Sequence, residues 1–150
     1  MILAAEPSQF DQVREIFREY AAWVGDDICF EAFQKELAGL PGRYAEPLGR
    51  LLLAWENGEL AGCVGLREFA PGAGEMKRLY VRSAFQGLGL GRALTERVIQ
   101  AARVSGYAAL KLDTLPKMQR AIPLYRALGF REIPHYSDNP ATAICFELTL

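Results

Sequence analysis

The stretch EMKRLYVRSAFQGLGLGRAL, Glu75 to Leu94, decides the fold. It starts as a strand, passes through Gly87, Gly89 and Gly91 at alternate positions, and continues as a helix. A chain that drops its side chains where a strand hands over to a helix either turns tightly or lets something lie against its backbone. A helix N-terminus offers unpaired amides and the positive end of the helix dipole, and glycines let an anion approach them. Arg92, in the first turn, adds a charge-assisted hydrogen bond. Two phosphate-binding patterns are excluded. A Walker loop needs Gly-Lys-Ser/Thr, and Gly91 is followed by Arg92 and Ala93. The dinucleotide fingerprint needs a third small residue, where Arg92 or Leu94 stands instead.

Downstream, the helix runs to about Val104 with a stripe of Leu90, Leu94, Val98 and Ala101 or Ala102, and Gly106 stops it. A short buried strand follows from Ala108 to Leu112. Gln119 to Leu128 reads as a helix ending at Gly129, with Pro123 requiring a start near Gln119 or a bend. Strands from Phe130 to Ile133 and Thr142 to Leu148 flank the loop PHYSDNPA. Upstream, Ile2–Ala5 is a strand, and Ser8 with Asp11 suits a variant capping box. Phe10, Val13, Phe17, Tyr20 or Ala21, and Val24 then keep helical spacing up to Gly25. A second helix fits Ile28 to Ala38, with Phe30, Phe33 and Leu37 on one side. Asn57-Gly58 joins two apolar runs, Leu51–Trp55 and Leu60–Leu66, as a hairpin.

The whole is one α/β domain of the α+β type over residues 1–150. It has a single mixed, partly antiparallel sheet of six to seven strands flanked by about four helices. The strand–helix–strand passages through 75–112 and 108–134 favour parallel pairs.

Composition narrows the function. The chain has 150 residues, 51% of them hydrophobic, which is enough for a core without disulfides or metal. Seventeen basic and eighteen acidic residues nearly cancel, which argues against nucleic acid as a partner. Cys29, Cys63 and Cys145 show neither metal-ligand spacing nor a disulfide pattern, so a reducing cytoplasm is expected. MILAAEP lacks the basic region and apolar length of a signal peptide, and the run Leu51–Trp55 is far too short to span a bilayer.

Gln86, Gly89 and Gly91 meet the spacing Q-x-x-G-x-G, which resembles the acyl-CoA-binding motif of the GNAT superfamily of N-acetyltransferases. MKRLYV, with Val81 five residues before Gln86, looks like that family's fourth strand. AIPLYRALGFREI, through Ala121, Leu124, Tyr125, Gly129 and Phe130, looks like its A-x-x-L-Y-x-x-x-G-F segment. The order of elements agrees over nearly the whole chain.

The resemblance implies acetyl-CoA as donor and transfer of the acetyl group to a primary amine, directly within a ternary complex. The pyrophosphate would lie on the turn Gln86, Gly87, Leu88, Gly89, Leu90, Gly91 and Arg92. The pantetheine arm would run along Leu79, Tyr80 and Val81 like an added strand, with the Leu79 amide polarising the thioester carbonyl. Tyr125 would give a proton to the leaving thiolate; packed with Ala121 and Leu128, it equally suits the core. Glu75 takes the place of the general base found in some members, or is a solvated charge at the start of a strand. Met118 stands where many members carry an asparagine that touches pantetheine.

By the same resemblance, the acceptor site is built from Trp23–Phe33 and Pro134–Pro140. Asp26 and Asp27 would attract a cationic amine there, although Asp27 also suits a helix cap. His135, Tyr136, Asp138 and Asn139 share the later loop. The three cysteines lie away from the motif segments, so no covalent acyl-enzyme is expected. The acceptor is a small-molecule or peptide amine, and exposed sheet edges allow a homodimer. The alternatives are a non-catalytic acyl-CoA-binding module and a regulator binding another nucleotide.

Overall fold

In the computed structural model, which describes residues 1–25 and 29–150, seven strands form one mixed sheet. They are β1 (Ile2–Ala4), β2 (Arg50–Glu56), β3 (Glu59–Ala70), β4 (Ala73–Val81), β5 (Ala109–Thr114), β6 (Arg131–Ile133) and β7 (Ile144–Thr149). Across the sheet the order is β1-β2-β3-β4-β5-β7-β6, and only β4 and β5 are parallel. Asn57 and Gly58, with φ of 52° and 80°, make the left-handed pair that a type I′ hairpin requires.

The helices are α1 (Phe10–Val24), α2 (Phe30–Ala38), α3 (Leu90–Val104) and α4 (Ile122–Ala127). They cover both faces of the sheet. Leu52 and Ala54 of β2 join Leu94 and Val98 of α3 in one core. Leu51 and Leu53 join Val13 and Phe17 of α1 and Phe33 and Leu37 of α2 in another. Leu51 to Ala54 is an unbroken apolar run because successive side chains enter different cores.

Four expectations need correction. Ser8 does not cap α1: a 3-10 turn at Pro7–Gln9 precedes the helix, and Gln9 Oε1 accepts from the Glu6 amide at 2.9 Å. Pro7 fits the first position of a turn, so the box moves one residue before it. Phe30 is 72% exposed and not part of the buried stripe. Pro116–Ala121 form a 3-10 turn and α4 starts only at Ile122, because an α-helix from Gln119 would set the Pro123 ring against its i−4 carbonyl. Finally, β5 and β6 do not pair: β7 lies between them, antiparallel to both. With Cys145, Phe146 and Leu148 buried, β7 suits the inner position, and β6, exposed at Arg131 and Glu132, suits the edge.

Two departures from sheet regularity create space. β4 and β5 pair only where Ala73–Glu75 face Ala109–Lys111, and beyond that they part. Gly65 and Cys63 of β3 face Lys77 and Tyr80 of β4, so β4 carries one extra residue over this step. Arg78 lies within it, at φ 61°, a left-handed conformation that a residue with Cβ enters at a cost of about 1–2 kcal/mol.

Gly65 also makes room for an aromatic ring. A Cβ there would stand 2.5 Å from Tyr44 Cε1. Gly65→Ala is therefore expected to destabilise the protein by about 1–3 kcal/mol through overpacking, measured as a lowered midpoint in chemical denaturation.

Candidate active site

The parting of β4 and β5 leaves a cavity of about 420 Å³. Met76 to Leu79 and Val81 form one wall, and Leu112 to Thr114 the other. At one end lies the glycine turn. Gly87 and Gly89 have φ of 84° and 79°, and α3 begins immediately after Gly89. A Cβ added at Gly87, Gly89 or Gly91 would meet no atom within 4 Å, so these positions border open space. No acidic side chain stands in the first turn of α3 and no side chain caps it. Its amides are thus left for an anion.

The backbone of β4 is arranged for a partner on the cavity side. The Arg82 amide bonds the Ala61 carbonyl at 2.8 Å. By alternation, Leu79 and Val81 turn their peptide groups away from β3. The Gln86 side chain donates to the Val81 carbonyl at 3.3 Å, tying the strand to the turn.

Tyr125 lines this cavity from α4, its ring packed on Phe130 and Phe146 with centroids 5.8 and 6.1 Å away. It is therefore both a core residue and a cavity residue. Burial pushes its phenol above the ordinary value, so it carries its proton at neutral pH. Tyr20 and Trp23 enter from α1, and the Tyr20 hydroxyl donates to Met118 Sδ at 3.7 Å.

A second cavity, about 560 Å³, opens toward α2 and the loop between β6 and β7. Glu75 lines it and is almost fully buried. Its Oε1 lies 3.0 Å from Arg67 Nη2, and its Oε2 accepts from the Tyr136 hydroxyl at 2.7 Å. Glu75 is thus no solvated charge, and it lines this cavity rather than the first. Tyr136, Asp138 and Asn139 come with it from the loop. Cys29 lines the second cavity too, whereas Cys63 and Cys145 are buried free thiols.

Lys77 and Arg78 line both cavities. Lys77 Nζ sits 3.6 Å from Asp113 Oδ1, and Asn139 donates to Asp113 Oδ2. Burial pushes the Asp113 carboxyl up, but Lys77, Ser137 and Asn139 outweigh it and hold the carboxyl below its usual range. Arg78 makes two 3.0 Å bonds to Glu36 and stacks over Tyr20 and Phe33.

Some residues read from the sequence stand apart from these cavities. Leu88 is 60% exposed, and Arg92 pairs with Glu96 at 2.6 Å; neither lines the cleft. Tyr80 lines neither cavity, and its ring packs against Tyr20 and Trp23. His135 lines neither cavity and bonds the Pro140 carbonyl at 3.1 Å. Asp26 and Asp27 lie outside the described residues. Conversely, sequence reasoning missed Lys77, Asp113 and Arg78, and also Lys117 and Arg120 at the cleft mouth. Basic residues in strands and short turns carry no local signature.

Comparison with known proteins gives a consistent result. Residues 10–130 match the model of the acetyltransferase (GNAT) family. An uncharacterised N-acetyltransferase of Schizosaccharomyces pombe is 37% identical over 142 residues, covering 93% of this chain and 87% of its own length. The crystal structure of an acetyltransferase from Streptococcus agalactiae has a TM-score of 0.82 at 23% identity, with 100% of this chain and 98% of that one covered. A Salmonella typhimurium structure, described as an acetyltransferase with its cofactor acetyl-CoA, has a TM-score of 0.76 at 23% identity and covers 99% and 92%.

Proposed function

This chain belongs to the acetyltransferase (GNAT) family and is an N-acetyltransferase; on that footing we propose that the cleft between β4 and β5 binds acetyl-CoA and that the second cavity binds the amine acceptor. The observation that carries this reading is the uncapped glycine turn at the N-terminus of α3, which borders open space that any Cβ would enter. That surface fits a pyrophosphate. The Salmonella typhimurium neighbour, solved with acetyl-CoA, supports the choice of donor. Residues 1–150 act as one acyltransferase domain, in the cytoplasm.

Binding falls mainly to main-chain groups. The amides from Gly87 to Arg92 hold the pyrophosphate, with Gln86 fixing the turn to β4. The outward peptide groups of Leu79 and Val81 hold the pantetheine arm, and the Leu79 amide steadies charge developing on the acyl oxygen. Lys117 and Arg120, at the mouth, supply positive charge for the donor's remaining phosphate.

The acceptor amine must be neutral to attack. As its N–C bond forms and the C–S bond breaks, the amine loses a proton and the departing sulfur gains one. Glu75 takes the first proton, directly or through water: Arg67 fixes Oε1, while Oε2 keeps a lone pair beyond the one used by Tyr136. Tyr125 gives the second.

Titration calorimetry with acetyl-CoA, coenzyme A, ATP and NADH tests the donor half. Selective binding of the first two is expected, and binding of none would remove the reading's support. Tyr125→Phe tests the acid. A thiol is already a fair leaving group, so the loss in turnover should be roughly tenfold to a hundredfold, at or below the usual range for acid catalysis. Affinity for acetyl-CoA should hold. Unchanged turnover would remove Tyr125 from the chemistry.

A further inference from the structure

Resting on the acetyltransferase reading with Glu75 as base, we infer that Tyr136 is a positioning residue: its hydroxyl turns the Glu75 carboxylate toward the acceptor and keeps it there while it changes protonation.

A glutamate carboxyl turns easily about its last bond, whose rotamers are broad. To present one chosen oxygen it has to be pinned at both. Arg67 pins only one: its Nε donates to Oε1 at 3.0 Å, and Nη2 lies at the same distance from that same oxygen. The guanidinium thus makes no fork across the two oxygens. Oε2 is left to the Tyr136 hydroxyl, which donates to it at 2.7 Å. The pins come from β3 and from the β6–β7 loop, and between them they fix the plane of the carboxyl.

A hydroxyl suits this place because it both donates and accepts, whereas lysine and arginine only donate. Before the transfer it donates to the carboxylate. Afterwards the acceptor's proton is on Oε2, which then donates to the Tyr136 oxygen while the phenol turns its own hydrogen to the cavity. One proton leaves the amine and one arrives on Glu75; Tyr136 ends with the proton it started with. Burial, and then the neighbouring Glu75 carboxylate, push this phenol above its ordinary value, so it stays protonated throughout.

Three strands help to place the ring. Phe69, near the end of β3, meets it edge-on, with centroids 5.0 Å apart and planes at 81°. Lys111 of β5, which stands beside Glu75 in the parallel register, puts Nζ 5.2 Å from the Tyr136 centroid and 5.7 Å from that of Phe69, a favourable cation–ring contact. Glu147 of β7 holds that ammonium at 2.8 Å. Asn139, bonded to Asp113, ties down the same loop three residues on.

The experiment compares Tyr136→Phe, Glu75→Gln and the double variant. Acetylation is read as thiol release at saturating acetyl-CoA, with the fastest of phenethylamine, spermidine and lysine as probe acceptor. Tyr136→Phe keeps the ring and should lower kcat about tenfold, the scale of a hydrogen bond to a charged group. The acceptor KM should stay within about twofold, and calorimetry should give unchanged affinity for acetyl-CoA. On the Glu75→Gln background, adding Tyr136→Phe should alter the residual kcat by less than about twofold, because the group it acts through is gone. A residue that only shapes the loop would cost the same on both backgrounds. Unchanged kcat in Tyr136→Phe, a loss confined to KM, or an equal loss on both backgrounds overturns the inference. If Glu75→Gln does not fold, the division between kcat and KM in Tyr136→Phe decides alone. Unchanged kcat in Glu75→Gln would instead overturn the reading of the base beneath it, and no thiol release with any of the three amines, by protein that binds acetyl-CoA, would overturn both.

Discussion

Gly89→Asp is expected to weaken coenzyme A binding at least about a hundredfold, equivalent to roughly 2.7 kcal/mol. The position immediately precedes α3 at φ 79°, and a Cβ there meets nothing within 4 Å. The new carboxylate would stand where the pyrophosphate is proposed to lie and take up the amides meant for it. Stability should change much less. Aspartate is among the residues that tolerate a left-handed conformation best, and a negative charge at a helix N-terminus contributes about 0.3–1 kcal/mol in its favour. Calorimetric titration and thermal unfolding of the same sample check both halves. Wild-type affinity in the variant would remove the pyrophosphate from this turn. An unfolded variant would show instead that the glycine serves the chain rather than a ligand.

Arg78→Ala is expected to act on stability, lowering it by about 3–5 kcal/mol, the usual cost of breaking a buried pair from one side. Arg78 and Glu36 have side chains only 12% and 15% exposed and meet through two hydrogen bonds. Removing the guanidinium leaves the Glu36 carboxylate enclosed without a partner. The aromatic faces of Tyr20 and Phe33 lose their cation as well. Relief of the left-handed backbone does not offset this, because alanine carries the same Cβ. Adding Glu36→Gln should restore part of the loss, since the stranded charge goes with it. Urea denaturation of the two single variants and the double variant reads the coupling directly. A loss below about 1 kcal/mol, the range of exposed ion pairs, would mean that solvent reaches this pair far more freely than its burial indicates.

The elements around Glu75–Leu94 were legible because their signals are local. Alternate glycines, the helical stripe of Leu90, Leu94 and Val98, and the Asn57-Gly58 turn each fix their own backbone. The misreadings arose where a neighbour decides. Nothing in Phe130–Ile133 shows that β7 will insert between it and β5; relative burial of the two strands settles that. Phe30 keeps the helical spacing of the buried Phe33 and Leu37, but as the first residue of α2 it stands outside the core that they enter. The extra residue in β4 is invisible, since arginine is no marker of a left-handed backbone.

The candidate site divides in the same way. Its main-chain half, the glycine turn and the outer edge of β4, followed from motif spacing. Its side-chain half depends on pairings across long separations: Glu75 with Arg67 and Tyr136, Lys77 with Asp113, Arg78 with Glu36.

The irregular step in β4 has one more consequence. Lys77 and Arg78 border both hollows, so a single strand is the wall between them. One hollow opens beside α3 and α4, the other beside α2 and the β6–β7 loop. With donor and acceptor lodged there, each would arrive and depart by its own door. Neither would have to wait for the other to clear the way, and the order of entry would be set by relative affinity and concentration rather than by obstruction.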